Sequence, residues 1–251
     1  MIRRLAGGLP ALGLGLVLLG LWELYVRVGP VDPLILPAPS AIAAALVSDR
    51  ALLWSNLTVT AGEVLPGIAL AALLATALAA AIHFSVLLRR AVYPLLVASQ
   101  AIPLVLLTPL LIAWLGFGLL PKLAIIALVC FFPILVATLD ALAAVEPDLL
   151  KLMSTLGASR WQTFVRVEAP SALPGLFSGA RVGVVFALIG AFFAEWSGAS
   201  AGLGVLAEQA IPQLETARAG AAVTLLAALA VALFALLTLA ERRLVPWGAR
   251  A

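Results

Sequence analysis

Residues Glu146–Pro174 read EPDLLKLMSTLGASRWQTFVRVEAPSALP, a charged, amphipathic interruption between hydrophobic runs of membrane length. Pro147 suits a first helical position. Leu149, Leu152, Met153 and Leu156 then fall at i, i+3, i+4 and i+7, one apolar stripe opposite Asp148, Lys151 and Thr155. Gly157 is placed to end that helix, and Ser159 with Gln162 has capping-box spacing. A second short helix through Trp161, Phe164 and Val165 is expected to run until Pro170 and Pro174 stop it. The product is a helix, a glycine turn and a helix outside the membrane. Its stripe needs a cover, and two remain open: the ends of the chain's own spans, or a partner's groove that takes the turn around Gly157.

On either side of this insert the chain is built for lipid. Of its 251 residues, 64% are hydrophobic and 11% charged, with a mean hydropathy of +1.19, against roughly 45–50% and about 25% in soluble domains. Six runs are long enough to span a bilayer: Leu9–Val28, Val59–Phe84, Ala91–Leu115, Lys122–Leu139, Leu176–Trp196 and Ala219–Leu239. The expectation is an all-α polytopic membrane protein of six transmembrane helices. Residues 1–251 then form a single transmembrane domain, with an extramembrane insert at 140–175. The first run follows MIRRLAGG as a signal peptide would, yet it is long and no small-x-small cleavage site follows, so it reads as a retained span.

The net charge of +3 does not point to nucleic acid, because the basic residues are dispersed at the ends of apolar runs and form no basic face. They serve topology instead. With the N-terminus in the cytoplasm, the inner side collects Arg3, Arg4, Arg89, Arg90, Lys151, Arg160, Arg166, Arg181, Arg242, Arg243 and Arg250. The outer side holds Arg27, Arg50, Lys122 and Arg218. This asymmetry predicts that both termini are cytoplasmic. Trp22, Tyr25, Trp54, Trp114 and Trp196 then mark the outer interface, and Tyr93 and Trp247 the inner one. Pro37, Pro39 and Ser40 before AIAAALV predict either a short outer helix capped by Ser40 or a plain loop.

The insert resembles the EAA loop of binding-protein-dependent ABC importer permeases. The loop's glycine corresponds to Gly157, followed by Ala158, Ser159, Arg160 and Trp161; its closing proline is Pro170, with Ala169 in place of leucine. The EAA triplet itself falls on Lys151, Leu152 and Met153, while Glu146 and Asp148 supply charge one turn earlier. The resemblance extends to LPAPS at Leu36–Ser40, SQAIPLVLLTPLLIAWLGFG at Ser99–Gly118 and AEWSGASAGLG at Ala194–Gly204. These stretches resemble the branch serving sulfonate, nitrate, taurine and thiamine-precursor importers. FFP at Phe131–Pro133, PDLLKLMSTLGASRWQTF and EWSG look most similar to permeases for the pyrimidine precursor of thiamine.

The resemblance implies an ABC importer permease fold in the inner (cytoplasmic) membrane, with Glu146, Asp148, Lys151, Leu152, Met153, Gly157, Ala158, Ser159, Arg160 and Pro170 as the ATPase-coupling residues. It implies as partners two copies of an ABC ATPase, a second permease copy forming a homodimer, and an extracytoplasmic substrate-binding protein. The cargo it implies is a small organic solute of the hydroxymethylpyrimidine type, with sulfonate-, taurine- or nitrate-like anions as the alternative. The residues agree on the division of labour: no G-x-x-x-x-G-K-[ST] phosphate loop occurs, so ATP belongs to a partner and this chain needs no cofactor of its own.

Within the spans, Gly175, Gly179, Gly183, Ala187 and Ala191 recur every four residues, a stripe suited to close helix packing. Pro103 and Pro109 interrupt the third span, and Ser99 and Gln100 before that break are the candidate polar residues of the pathway. Glu195 is a further pathway candidate, to be satisfied by water or Arg218 if its role is structural. Arg181 is expected to snorkel, and His83 to be an interfacial residue beside Arg89 and Arg90. The lone Cys130 excludes disulfides within the chain, and no His or Cys cluster suggests a metal. Gly198–Gly202 matches the nucleophile elbow G-x-S-x-G, but Ser200 and His83 belong to opposite faces of the membrane, which argues against a hydrolase. An ATP-independent carrier or channel is the competing class; it predicts polar rings at mid-membrane, where these spans are almost wholly aliphatic.

Overall fold

The computed structural model describes residues 9–248, and among these every regular element is helical. In chain order they are α1 (Leu9–Val28), α2 (Pro39–Ser48), α3 (Arg50–Phe84), α4 (Val86–Ser99), α5 (Leu104–Leu115), α6 (Leu119–Ala143), α7 (Pro147–Thr155) and α8 (Arg160–Thr163). A π-helical turn at Phe164–Glu168 follows, then α9 (Ala169–Trp196), α10 (Leu203–Ala210) and α11 (Thr216–Leu244). Arg3, Arg4 and Arg250, three of the residues behind the expected orientation, lie outside the described residues.

Among the described residues, four helical segments are long and apolar enough to cross a membrane: Arg50–Phe84, Leu119–Ala143, Arg160–Trp196 and Thr216–Leu244. The pair α4 and α5 passes the same test jointly but is bent by 104°. The break falls where the prolines predict it, though only Pro103 makes it. Ala101 and Ile102 donate their N–H to Ala98 and Ser99, tightening the end of α4 into a 3₁₀ turn. Pro103, in extended conformation, then starts α5 in a new direction. Pro109 sits inside α5.

The described residues group into two compact units. One comprises residues up to Val59 with Ala201–Leu226. Here the short helix after Pro37 forms, but Ser40 is not its cap: Ala38 occupies that position without a side-chain bond. The Ser40 hydroxyl and N–H instead both donate to the Glu23 carboxylate, at 2.7 and 2.9 Å. Buried Asn56 accepts the Gly202 N–H at 2.7 Å, and Arg218 donates to Asp49 at 2.6 Å and pairs with Glu215.

The second unit comprises Thr60–Ser200 and residues from Ala227 onward. Its core is the packing of α9 on α6, and the small-residue stripe makes that contact. A Cβ on Gly179 would stand 2.8 Å from the Pro133 carbonyl oxygen, and one on Gly175 would overlap Ala141. Cys130, fully buried, points its thiol at the Gly183 carbonyl, 3.2 Å away. Without bulky side chains in this seam the helices approach closely, the mode of association available in lipid, where burial of apolar area drives little. Arg181, expected to snorkel, donates from its Nη1 to Glu241 near the end of α11 at 2.6 Å.

Candidate functional site

Within the expected insert at 140–175, α6 continues to Ala143 before α7 begins at Pro147. Glu146 adopts the extended N-cap conformation, Pro147 takes the first position of α7, and Asp148 lies in its first turn, where a carboxylate is favoured by the exposed N–H groups. Lys151 pairs with Asp148 at 2.9 Å on the exposed face. The helix ends in a Schellman turn: the Ala158 N–H donates to Met153 and the Gly157 N–H to Ser154, each at 3.0 Å. Gly157 closes it at φ +73°, and a Cβ there would meet nothing within 4 Å, so the demand on this residue is conformational, not steric. The capping box forms as predicted. Ser159 Oγ accepts from the Gln162 N–H at 3.3 Å, and Gln162 Oε1 accepts from the Ser159 N–H at 2.8 Å.

Pro170 and Pro174 do not stop the second limb, contrary to expectation; the backbone stays helical from Arg160 to Trp196. The reason is the π turn. The Ala169 N–H bonds to the Phe164 carbonyl, five residues back, and this wider turn leads into α9 with Pro170 in its first positions, where a missing N–H costs least. Pro174 is accommodated inside α9.

No residue of α7 is buried. Leu149, Leu152 and Leu156 are 41%, 53% and 71% exposed, and Trp161 is 63% exposed. The stripe therefore does not fold back onto the chain's own spans. Arg160 is oriented inward to the end of α3, where its Nη2 donates to the His83 carbonyl at 3.4 Å and its guanidinium lies 5.3 Å from the centre of the Phe84 ring. His83, expected to be an interfacial residue beside Arg89 and Arg90, has its Nε2 3.0 Å from Glu168 Oε2.

Ser99, Gln100 and Pro103 meet at the α4–α5 elbow, where they line a recess of about 310 Å³ with Leu128, Val129 and Phe186. Gln100 also faces an adjoining recess of about 370 Å³, lined by Phe132, Asp140, Ser178 and Phe186. The Ser99 hydroxyl donates to the Leu96 carbonyl at 2.7 Å, as a residue terminating a helix does. Glu195 lies apart from both recesses: it is 1% exposed and accepts from the Thr60 hydroxyl at 2.6 Å, while Arg218 is engaged by Asp49 and Glu215. Phe132, Asp140, Ser178 and Phe186 escaped the sequence reading. Their signal was helical spacing, since Phe132, Val136 and Asp140 recur every four residues on α6, as do Ser178, Val182 and Phe186 on α9. Neither recess is lined by a lysine or arginine.

Residues 67–247 match the family of binding-protein-dependent transport system inner membrane components. The chain is 35% identical to the formylaminopyrimidine transport permease protein of Halalkalibacterium halodurans, over 92% of this chain and 93% of that one. It is 37% identical to the riboflavin transport system permease protein of Chloroflexus aurantiacus, over 96% and 91%. The taurine transport system permease protein of Escherichia coli is 28% identical over 92% and 86%. Family members are the membrane-integral, multi-pass permease components of ABC importers; they work with a separate ATPase and a substrate-binding protein and have no ATP site of their own. This chain belongs to the binding-protein-dependent transport system inner membrane components, as an ABC importer permease.

Proposed function

We propose that this permease forms the pathway for a small, uncharged heteroaromatic solute of the hydroxymethylpyrimidine thiamine-precursor type and takes its drive from an ATPase docked on the α7 stripe. The observation that carries the coupling half is the stripe itself: three leucines left exposed on a helix held at one end by Pro147 and at the other by the Schellman turn. An amphipathic helix with one uncovered apolar face is the form that inserts into a partner's groove. Glu146, Asp148 and Lys151 supply charge at its start, and Met153, Ala158 and Ser159 shape the turn. Pro170 contributes through the π turn that lets the second limb run on into α9.

For the solute, the elbow recesses offer an amide, two hydroxyls, a carboxylate and two phenyl rings, with no cation to neutralise a sulfonate or nitrate. That chemistry, and the formylaminopyrimidine and riboflavin relatives, favour a flat hydrogen-bonding ring over the anionic alternative. Ser99, Gln100 and Pro103 are pathway residues in this reading; Glu195 holds α9 to α3.

The assembly we propose is a homodimer of this chain with two ATPase copies, in the inner membrane with both termini cytoplasmic and the α7 turn on the same side. Residues 1–251 then make one transmembrane domain of six spans, with α1 the first and the bent pair α4 and α5 counted as one. The test is reconstitution with the cognate ATPase and binding protein in proteoliposomes. ATP-dependent uptake of formylaminopyrimidine with no uptake of taurine is the expected result; the reverse pattern would transfer the assignment to the anion branch.

A further inference from the structure

We propose that His83 and Glu168 form a mechanical joint that makes α3 move with the insert; the inference rests on the reading that the ATPase acts at the insert. His83, the single histidine of the chain, lies in the last turn of α3, and Glu168 closes the π turn between the insert's second limb and α9. Their side chains meet at 3.0 Å although 85 positions separate them in sequence. Glu168 is buried, and its Oε2 is the oxygen that an N–H on His83 Nε2 can reach.

The pair is the fixed point of a larger contact. Arg160, the first residue after the capping serine, reaches the carbonyl of the same His83 at 3.4 Å. The rings of His83, Phe84, Trp161 and Phe164 pack with centroids between 4.9 and 5.9 Å apart. Stacked rings and a cation over a ring hold two elements together but tolerate sliding along the contact. A directional hydrogen bond between two largely buried groups does not tolerate it, since separation leaves a desolvated carboxylate without its donor. The joint also falls in the π turn, a form of helix found mostly as single turns and frequently at functional sites. Because Arg160–Trp196 is continuous helix, a push on the turn at Gly157 travels along the second limb. At Glu168 it meets the bond that carries it sideways into α3. His83 and Glu168 are thus positioning residues, acting through the insert and not on the solute.

The experiment uses the permease–ATPase complex in lipid nanodiscs with Ile102→Cys at the elbow as a reporter; the native Cys130 is buried. The rate of maleimide labelling is compared without nucleotide and with ATP plus vanadate. The double variant His83→Leu/Glu168→Leu removes both partners and leaves no buried charge behind. It should retain the ATPase subunit and ATP hydrolysis, while the nucleotide-dependent change in labelling falls about fivefold, the worth of one net hydrogen bond. His83→Gln, whose amide can still donate to Glu168, should restore most of the change. A double variant that responds to nucleotide like its parent, or one that loses the ATPase subunit, overturns the joint. An unresponsive parent complex would instead overturn the coupling reading on which the joint rests.

Discussion

Lys122 Nζ stands 2.5 Å from Glu63 Oε1, joining α6 to α3 through two side chains that are both largely buried. The second carboxylate oxygen of Glu63 is buried without a hydrogen-bond partner, so the lysine is this group's hydrogen-bonded compensation. Removing one partner of such a pair costs about 3–5 kcal/mol, whereas replacing both with apolar residues is often neutral or better. Lys122→Met should therefore lower the thermal midpoint in detergent clearly more than Lys122→Met/Glu63→Leu does. Equal midpoints for the single and double variants would show that the pair is solvated and contributes little.

Gly157 is the second point of exposure. Its φ of +73° strains any residue with a Cβ, by about 1–2 kcal/mol for an ordinary L-residue and less for asparagine, which tolerates the left-handed region. Since no neighbour crowds the position, substituent size alone should not matter. ATPase co-purification should follow the order Gly, Asn, Ala, Val at this position. A bulky but unbranched residue such as Gln that performs far worse than Ala would reveal steric contact with the partner.

What was legible in the sequence, and what was not, divides along the range of the interactions. The Schellman turn at Gly157, the Ser159–Gln162 box and the break at Pro103 are settled by residues a few positions apart, and the motif that announced the family is local in the same sense. The stop expected at Pro170 does not occur because the rule that proline ends a helix assumes α register, and a π turn relaxes it. The partners of His83, Arg181 and Glu195 lie 85, 60 and 135 positions away, and nothing in a single sequence pairs them. Asp140 lies beyond the apolar run of α6 but within the helix, which continues to Ala143, so hydropathy alone does not place it on the recess.

Charge placed on the stripe should separate docking from folding. Leu152 is exposed in the isolated chain, so Leu152→Asp should leave thermal stability within about 0.5 kcal/mol of the parent, the usual range for a surface change. The same substitution should abolish retention of the ATPase if the stripe enters an apolar groove. Retention of the ATPase by Leu152→Asp would remove α7 as the docking element.

The Arg218 guanidinium beside Asp49 holds that carboxyl below its ordinary value of 3.8. A depressed folded-state pKa contributes stability that is fully present above the ordinary value and is lost as pH falls from there through the folded value. The parent should thus show no contribution from this pair to any pH dependence between pH 5 and 8. Below about pH 4 its midpoint should fall more steeply than that of Asp49→Asn, which cannot titrate. Parallel acid limbs for the two proteins would show that the bond does not persist in solution.

Solute selection is open to a direct challenge at Gln100 and Phe186, which together with Val129 border both recesses. Gln100 offers the paired donor and acceptor that a ring amine and ring nitrogen require, and Phe186 offers a face on which a flat ring can lie. Gln100→Leu keeps volume and removes the hydrogen bonds, so ATP-dependent uptake of formylaminopyrimidine should drop by about fivefold for each net bond lost. ATP hydrolysis by the complex should persist, because the elbow is separate from the insert. Phe186→Arg places a cation in a recess lined by none, and it should admit taurine where the parent excludes it. If Gln100→Leu transports formylaminopyrimidine as well as its parent, the solute does not pass against this elbow, and selection rests with the binding protein that delivers it.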